Sequence, residues 1–163
     1  MTTRVSAVMQ DAGAIVQVVN VMDGAVATGT TLQPKDDTIP QITEGNEFMT
    51  LAITPTSTTN KLLIQVVANL SHSTDTAWII GALFQDSTAG ALAVQGDFTA
   101  ATAGVPRIIT LNHYMTTGTI SATTFKFRSG NDGAGTMTFN GQSGGRIFGG
   151  AYASSITITE ISV

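Results

Sequence analysis

The chain contains no cysteine, which excludes a disulfide framework, a thiolate nucleophile, a zinc knuckle and an iron–sulfur site. Charge is scarce too: Asp, Glu, Lys and Arg make up 11% of its 163 residues, less than half the roughly 25% of an average soluble domain. Three Lys and three Glu stand against 27 Thr and 11 Ser, so the residues that normally coat helices are nearly missing and a helical architecture is disfavoured. The seven basic residues are scattered and the net charge is −4, which argues against nucleic-acid binding through a basic face. The longest apolar run, Trp78 to Phe84, is far short of the roughly 18–20 residues of a membrane span. After Arg4, the apolar residues from Val5 to Met9 are interrupted by Gln10 and Asp11 before a hydrophobic region of about 7–15 residues can form, so no secretory signal is read.

What is present is a series of short β-prone runs separated by turn residues, at the spacing of an all-β sandwich or barrel. The length supports one domain, divided here into an N-terminal arm over residues 1–12 and a single sandwich domain over 13–163. Residues 14–21 are rich in β-branched side chains and stop at Asp23-Gly24; residues 47–54 alternate and place Met49, Leu51 and Ile53 inward. The runs 61–70 and 77–84 are apolar on both faces and read as central strands buried on two sides. Residues 91–97, 105–115 and 123–127 continue the series. Asn131-Asp132-Gly133 predicts a tight hairpin into 136–139, because Asn and Gly accept positive φ at little cost. Five glycines between 141 and 150 predict a loop or a bulged strand. The final run, 155–162, alternates, with Ile156, Ile158 and Ile161 apolar among Thr157, Thr159 and Glu160. Residues 26–44 hold Pro34, Pro40 and Lys35-Asp36-Asp37 without alternation and are assigned as a long excursion.

Few residues carry chemistry. Gly141-Gln-Ser-Gly-Gly145 resembles the nucleophile loop of chymotrypsin-like proteases, with Gln142 where an Asp is usual; a triad would need a His base such as His72 with Asp75. A glycine-rich structural turn is the favoured reading, so no catalytic residue is assigned and the chain is not expected to be an enzyme. His72 reads as a solvated loop histidine, or as a receptor or pH-sensitive subunit contact, and His113 as an interior strand histidine. Asp36-Asp37 and Asn131-Asp132 offer oxygen ligands but match no calcium loop, and neither a metal nor another cofactor is assigned. Trp78, the only tryptophan, reads as a core anchor ahead of a sugar-stacking platform.

The order of Ile15 to Val19, the stretch Ile53 to Ile64 with Ile53-Thr-Pro-Thr-Ser-Thr58 and Lys61-Leu-Leu-Ile64, then Thr123 to Arg128 and the ending Ser155-Ile-Thr-Ile-Thr-Glu-Ile161 resembles a family of small β-rich bacteriophage virion domains. The resemblance implies an antiparallel β-sandwich of the jelly-roll type, like tumour necrosis factor and C1q, assembled as a homotrimer. It further implies a surface-exposed fibre tip or knob, made in the host cytoplasm and displayed on the virion, that contributes to host-surface attachment. A capsid decoration or cement protein is the alternative, and a carbohydrate-binding or hydrolytic jelly roll the second. On the attachment reading, receptor contact falls to His72, Asp75, Asp86, Asn131, Asp132, Gln142 and Arg146 in loops at one end, and Arg4, Val5, Val8 and Met9 anchor the arm. The expected partners are other copies of the chain, other tail or capsid proteins, and a host-surface glycan or protein, with no nucleic acid and no membrane insertion.

Self-association is also expected from composition. A sandwich guards its exposed edge strands with charge, lysine above all, or covers them with another chain. Three lysines guard few edges, so a symmetric assembly is the simpler account.

Overall fold

The structure, a computed structural model, describes residues 12–99 and 102–163. The strands are β1 (Ile15–Asp23), β2 (Ala27–Gly29), β3 (Asn46–Ile53), β4 (Lys61–His72), β5 (Ala77–Gln85) and β6 (Ala93–Thr99), then β7 (Arg107–Thr116), β8 (Thr123–Asn131), β9 (Met137–Phe139), β10 (Gly141–Gln142), β11 (Gly145–Arg146) and β12 (Ser154–Ile161). They build an antiparallel sandwich, as the turn spacing predicts. One sheet runs β1-β12-β4-β9-β2, with β7 also paired to β4; the other runs β3-β8-β5-β6. Leu70 pairs with both Arg107 and Phe139, so β7 flanks one side of β4 and β9 the other.

The inner faces supply the core. Leu62, Ile64, Val66 and Ala68 of β4 meet Met49, Ile79, Leu83, Phe125 and Phe127 of the facing sheet, all less than 5% exposed. Phe48 stacks on Phe139 with ring centroids 5.1 Å apart. Gly81 sits in a crowded part of the core: a Cβ there would lie 2.8 Å from the side chains of both Ile109 in the facing sheet and Phe127 in the neighbouring strand.

Strand β5 is buried on both faces, as its composition predicts: Ile80, Ala82 and Phe84 on its outer side are also covered. Strand β4 is not. It is central in its sheet, yet outward Gln65 and Val67 are exposed, because among the described residues no second layer covers that face. The final strand also departs from expectation. Its inward parity is even throughout, so Ile156, Ile158 and Glu160 are buried and Ile161 is only half-buried; the carboxylate, not the isoleucine, continues the inward row.

Two turn assignments are corrected. Asn131-Asp-Gly133 does not close a hairpin: β8 and β9 belong to different sheets, and neither Asn131 nor Gly133 adopts positive φ. Their polar groups serve the crossing instead, with Asn131 Nδ2 donating to the Gly133 carbonyl. The tight hairpin falls at β10–β11, where Ser143 (φ 50°) and Gly144 (φ 78°) form a two-residue turn of the kind that needs positive φ at both positions. The excursion over 26–44 is also more ordered than expected. It begins with β2, which pairs with β9, and then crosses to the other sheet.

Candidate functional site

The crossing segment creates a groove on the outer side of β5 and β6. Gln33 is fully buried and its N–H donates to the Asn131 carbonyl at 2.9 Å, which pins one end. At the other end Ala91 N–H donates to the Pro40 carbonyl (2.9 Å) and Ile42 N–H to the Ala89 carbonyl (2.8 Å). Between these anchors Pro34 and Pro40 offer no backbone N–H, and Asp36 turns the chain by accepting from Thr38 N–H (2.8 Å) and Thr38 Oγ1 (2.5 Å). The segment therefore bows away from β5 and β6 and leaves a groove of about 510 Å³.

Trp78 and Ile80 of β5 and Val94 and Gly96 of β6 line the sheet side of this groove, and Lys35, Asp36 and Asp37 the other. Trp78 is therefore not a core anchor: alternation points it to the outer face, where it is half-buried. Asp132 Oδ1 accepts from its backbone N–H (2.9 Å). Phe98 lies 5.5 Å from its ring at a tilt of 47°, and the Lys35 ammonium sits 4.7 Å from the ring centroid. The hydrogen bonds from the Thr38 side chain and backbone hold the Asp36 carboxyl below its ordinary pKa, so it is ionised at neutral pH.

The loop residues singled out in the sequence separate into two ends of the sandwich. The 73–76 bend, the β8–β9 crossing and the β10–β11 hairpin meet at one end: Ser73 N–H donates to the Thr136 carbonyl (3.0 Å), Thr136 N–H to Ser73 Oγ (2.8 Å), and Gly144 N–H to Thr138 Oγ1 (3.0 Å). Asp75, Asp132, Gln142 and Arg146 are exposed there. Asp86 is not among them. Its carboxylate holds Thr123 Oγ1 (2.8 Å) and Thr124 N–H (2.7 Å) at the start of β8, about 26 Å from Asn131 by strand rise.

His72 and Asn131 are buried, at 1% and 0% exposure, so the solvated-loop reading of His72 does not hold. The strand β4 extends through residue 72 and carries the ring inside, beneath Gly135, where a Cβ would come within 2.5 Å of it. His72 Nδ1 lies 2.7 Å from Thr74 Oγ1 and its Nε2 has no hydrogen-bond partner among the described residues. Burial lowers its pKa against the opposing pull of Thr74, Asp132 and Asn131. Ser143 occupies the exposed hairpin turn and makes no hydrogen bond with His72. The arm residues Arg4, Val5, Val8 and Met9 lie outside the described residues.

Sequence reading missed the most densely bonded polar site. Glu160 is fully buried and accepts from Gln17 Nε2 (2.6 Å), Thr56 N–H and Oγ1 (2.9 Å each) and Asn60 Nδ2 (2.7 Å). Burial raises its pKa, but these four donors outweigh that effect and hold it below the ordinary value. Counting parity from Ile156 and Ile158 would have placed residue 160 inside.

No curated protein matches the chain. Among solved structures, Eiger TNF from S. frugiperda aligns over 89% of this chain and 93% of its own, with a TM-score of 0.50 at 11% identity; it shares the jelly-roll fold expected from the sequence. The infectious bursal disease virus Gx strain structure aligns over 90% of this chain and 37% of its own (TM-score 0.41, 12% identity). A CBM4 structure covers 80% and 76% (TM-score 0.40, 14% identity). The family model that matches, over residues 18–163, is that of the Pgp3 C-terminal domain, a Chlamydia virulence plasmid protein. This overturns the bacteriophage expectation, and with it the fibre-tip, capsid-decoration and virion assignments: Thr-rich alternating strands ending in an Ile-Thr repeat suit any jelly roll of this type and do not single out phage. Since the match takes in every strand from within β1 to the C-terminus, the chain belongs to the Pgp3 C-terminal domain family.

Proposed function

We propose that this domain is a non-enzymatic, self-associating recognition module, a homotrimer that buries the outer face of the β1-β12-β4-β7 sheet between copies. The observation that carries the reading is the chemistry of that face. Cross-strand register aligns Val18, Thr159, Leu63 and Tyr114 in one outward row and Met22, Ser155, Val67 and Thr110 in another. Val18, Met22, Val67 and Tyr114 are 42–72% exposed. Between these rows lie Asn20, Thr157, Gln65 and Asn112, whose side chains bond one another across the sheet, Asn20 Nδ2 to Thr157 Oγ1 (2.8 Å) and Gln65 Nε2 to Asn112 Oδ1 (3.2 Å). Polar groups already paired in this way cost little to remove from water.

Lys61, in the adjoining row with Ile161 and Thr116, is the one charged side chain on this outward face among the described residues, and its ammonium donates to Thr116 Oγ1 (2.7 Å). A broad face with apolar rows and almost no charge is the signature of a buried contact. Three copies is the number that the resemblance to trimeric jelly rolls implies. The non-enzymatic part of the reading is supported by the burial of His72, 1% exposed, while Ser143 stands in the exposed hairpin turn with no hydrogen bond to it.

The test is a pair of variants. Val67→Glu combined with Tyr114→Glu is expected to yield a folded species of single-chain mass by light scattering, with the β-type circular dichroism retained. Ile120→Glu, at a comparably exposed apolar position off this face, is expected to keep the parent mass. A double variant that retains the parent mass would sink the proposal.

A further inference from the structure

We infer that the groove between residues 34–40 and strands β5 and β6 is a binding site for a neutral saccharide, with the Trp78 indole as its stacking surface. The volume of about 510 Å³ lies within the range of small-ligand sites. Trp78 rests along the sheet because residue 96 is glycine: a Cβ there would stand 3.1 Å from the indole. Ile80 and Val94 make the floor beside it apolar, which suits the C–H face of a pyranose ring.

Charge decides the ligand class. One wall carries Lys35 together with Asp36 and Asp37. An anionic ligand would meet two carboxylates, and a cationic ligand would find the aromatic face already held by the Lys35 ammonium at 4.7 Å. An uncharged polyol meets neither repulsion and finds a donor and acceptors side by side, since carboxylates accept from hydroxyls and an ammonium donates to them. Asp36 is pinned by Thr38, whereas Asp37 has no hydrogen-bond or ion-pair partner among the described residues and is free to receive one. A cation resting on an exposed ring is weakly held, so a sugar ring can displace the ammonium toward the rim, where it donates to a hydroxyl.

This inference rests on the reading of the domain as a recognition module but not on its copy number. Because Trp78 is the only tryptophan, its emission reports the groove directly. The experiment titrates the full chain with methyl glycosides and disaccharides of glucose, galactose, mannose, xylose and N-acetylglucosamine, with a sulfated disaccharide and a lysine-rich peptide alongside. At least one neutral sugar is expected to shift the emission saturably, with a Kd below about 10 mM. Asp37→Ala should weaken that binding at least about threefold. Val94→Arg, at a position already 45% exposed, should abolish it without unfolding the chain. No saturable response to any neutral sugar, an equal or stronger response to either charged probe, or binding that survives Val94→Arg would overturn the inference. Light scattering on the same samples separates the two readings: a single-chain species that binds sugar refutes only the assembly, and a trimer that binds none refutes only the groove.

Discussion

Asn60 Nδ2 donates a 2.7 Å hydrogen bond to Glu160 Oε1 across 100 residues of sequence, with both side chains buried. The bond ties the loop that enters β4 to the end of the C-terminal strand. Thr56 and Gln17 bring the β3–β4 loop and β1 to the same carboxylate. One acceptor-only group thus joins the chain's first strand, its last strand and the start of its longest.

Glu160→Gln keeps the shape but turns one acceptor into a donor that faces donors. The expected loss is about 2–3 kcal/mol of unfolding free energy, the scale of a buried polar group left unsatisfied, read from urea denaturation at pH 7. The sign of its pH dependence follows from the lowered pKa. As pH falls, the unfolded chain protonates this group near its ordinary value of 4.5 while the folded chain still holds the carboxylate. The contribution is therefore complete above that value and is lost as pH drops through the folded pKa. The wild-type midpoint should fall more steeply than that of Glu160→Gln below about pH 4.5.

This cluster also marks where the sequence stopped being legible. Strand positions, the inward rows of β3 and the two-sided burial of β5 follow from alternation and apolar content, which act locally. Glu160 was hidden because a charged residue beside Ile161 invites the outward assignment, and its donors are up to 143 positions away. The groove was hidden for a related reason. The excursion over 26–44 carries no periodicity, and only the pairing of β2 with β9 together with the backbone bonds to Asn131, Ala89 and Ala91 shows that it bridges two sheets and stands over Trp78. His72 looked solvated because its neighbours Ser71, Ser73 and Thr74 are polar, yet β4 continues through it.

The two histidines should titrate low. Burial lowers the pKa of both His72 and His113 from 6.5, so below that pH the unfolded chain takes up protons that the fold resists, and stability declines until the folded values are reached. Proton NMR of the imidazole resonances should give both midpoints below 6.5. A midpoint above 6.5 for His72 would contradict its burial without an Nε2 hydrogen-bond partner among the described residues.

Packing predicts opposite responses at two glycines. Gly81→Ala forces a methyl to within 2.8 Å of Ile109 and Phe127 and should destabilise by about 1–3 kcal/mol through overpacking. Gly133→Ala meets nothing within 4 Å and needs no positive φ, so it should be neutral or stabilising by up to about 1 kcal/mol. Chemical denaturation of the two variants checks both; equal effects would contradict the crowding at Gly81.

The central claim is that the nearly charge-free face of the β1-β12-β4-β7 sheet is a contact between copies, and sedimentation equilibrium of the unmodified chain at micromolar concentration measures it most directly. The account predicts a mass three times that of the 16.8 kDa chain, unchanged on tenfold dilution. A mass of one chain across that range would contradict it.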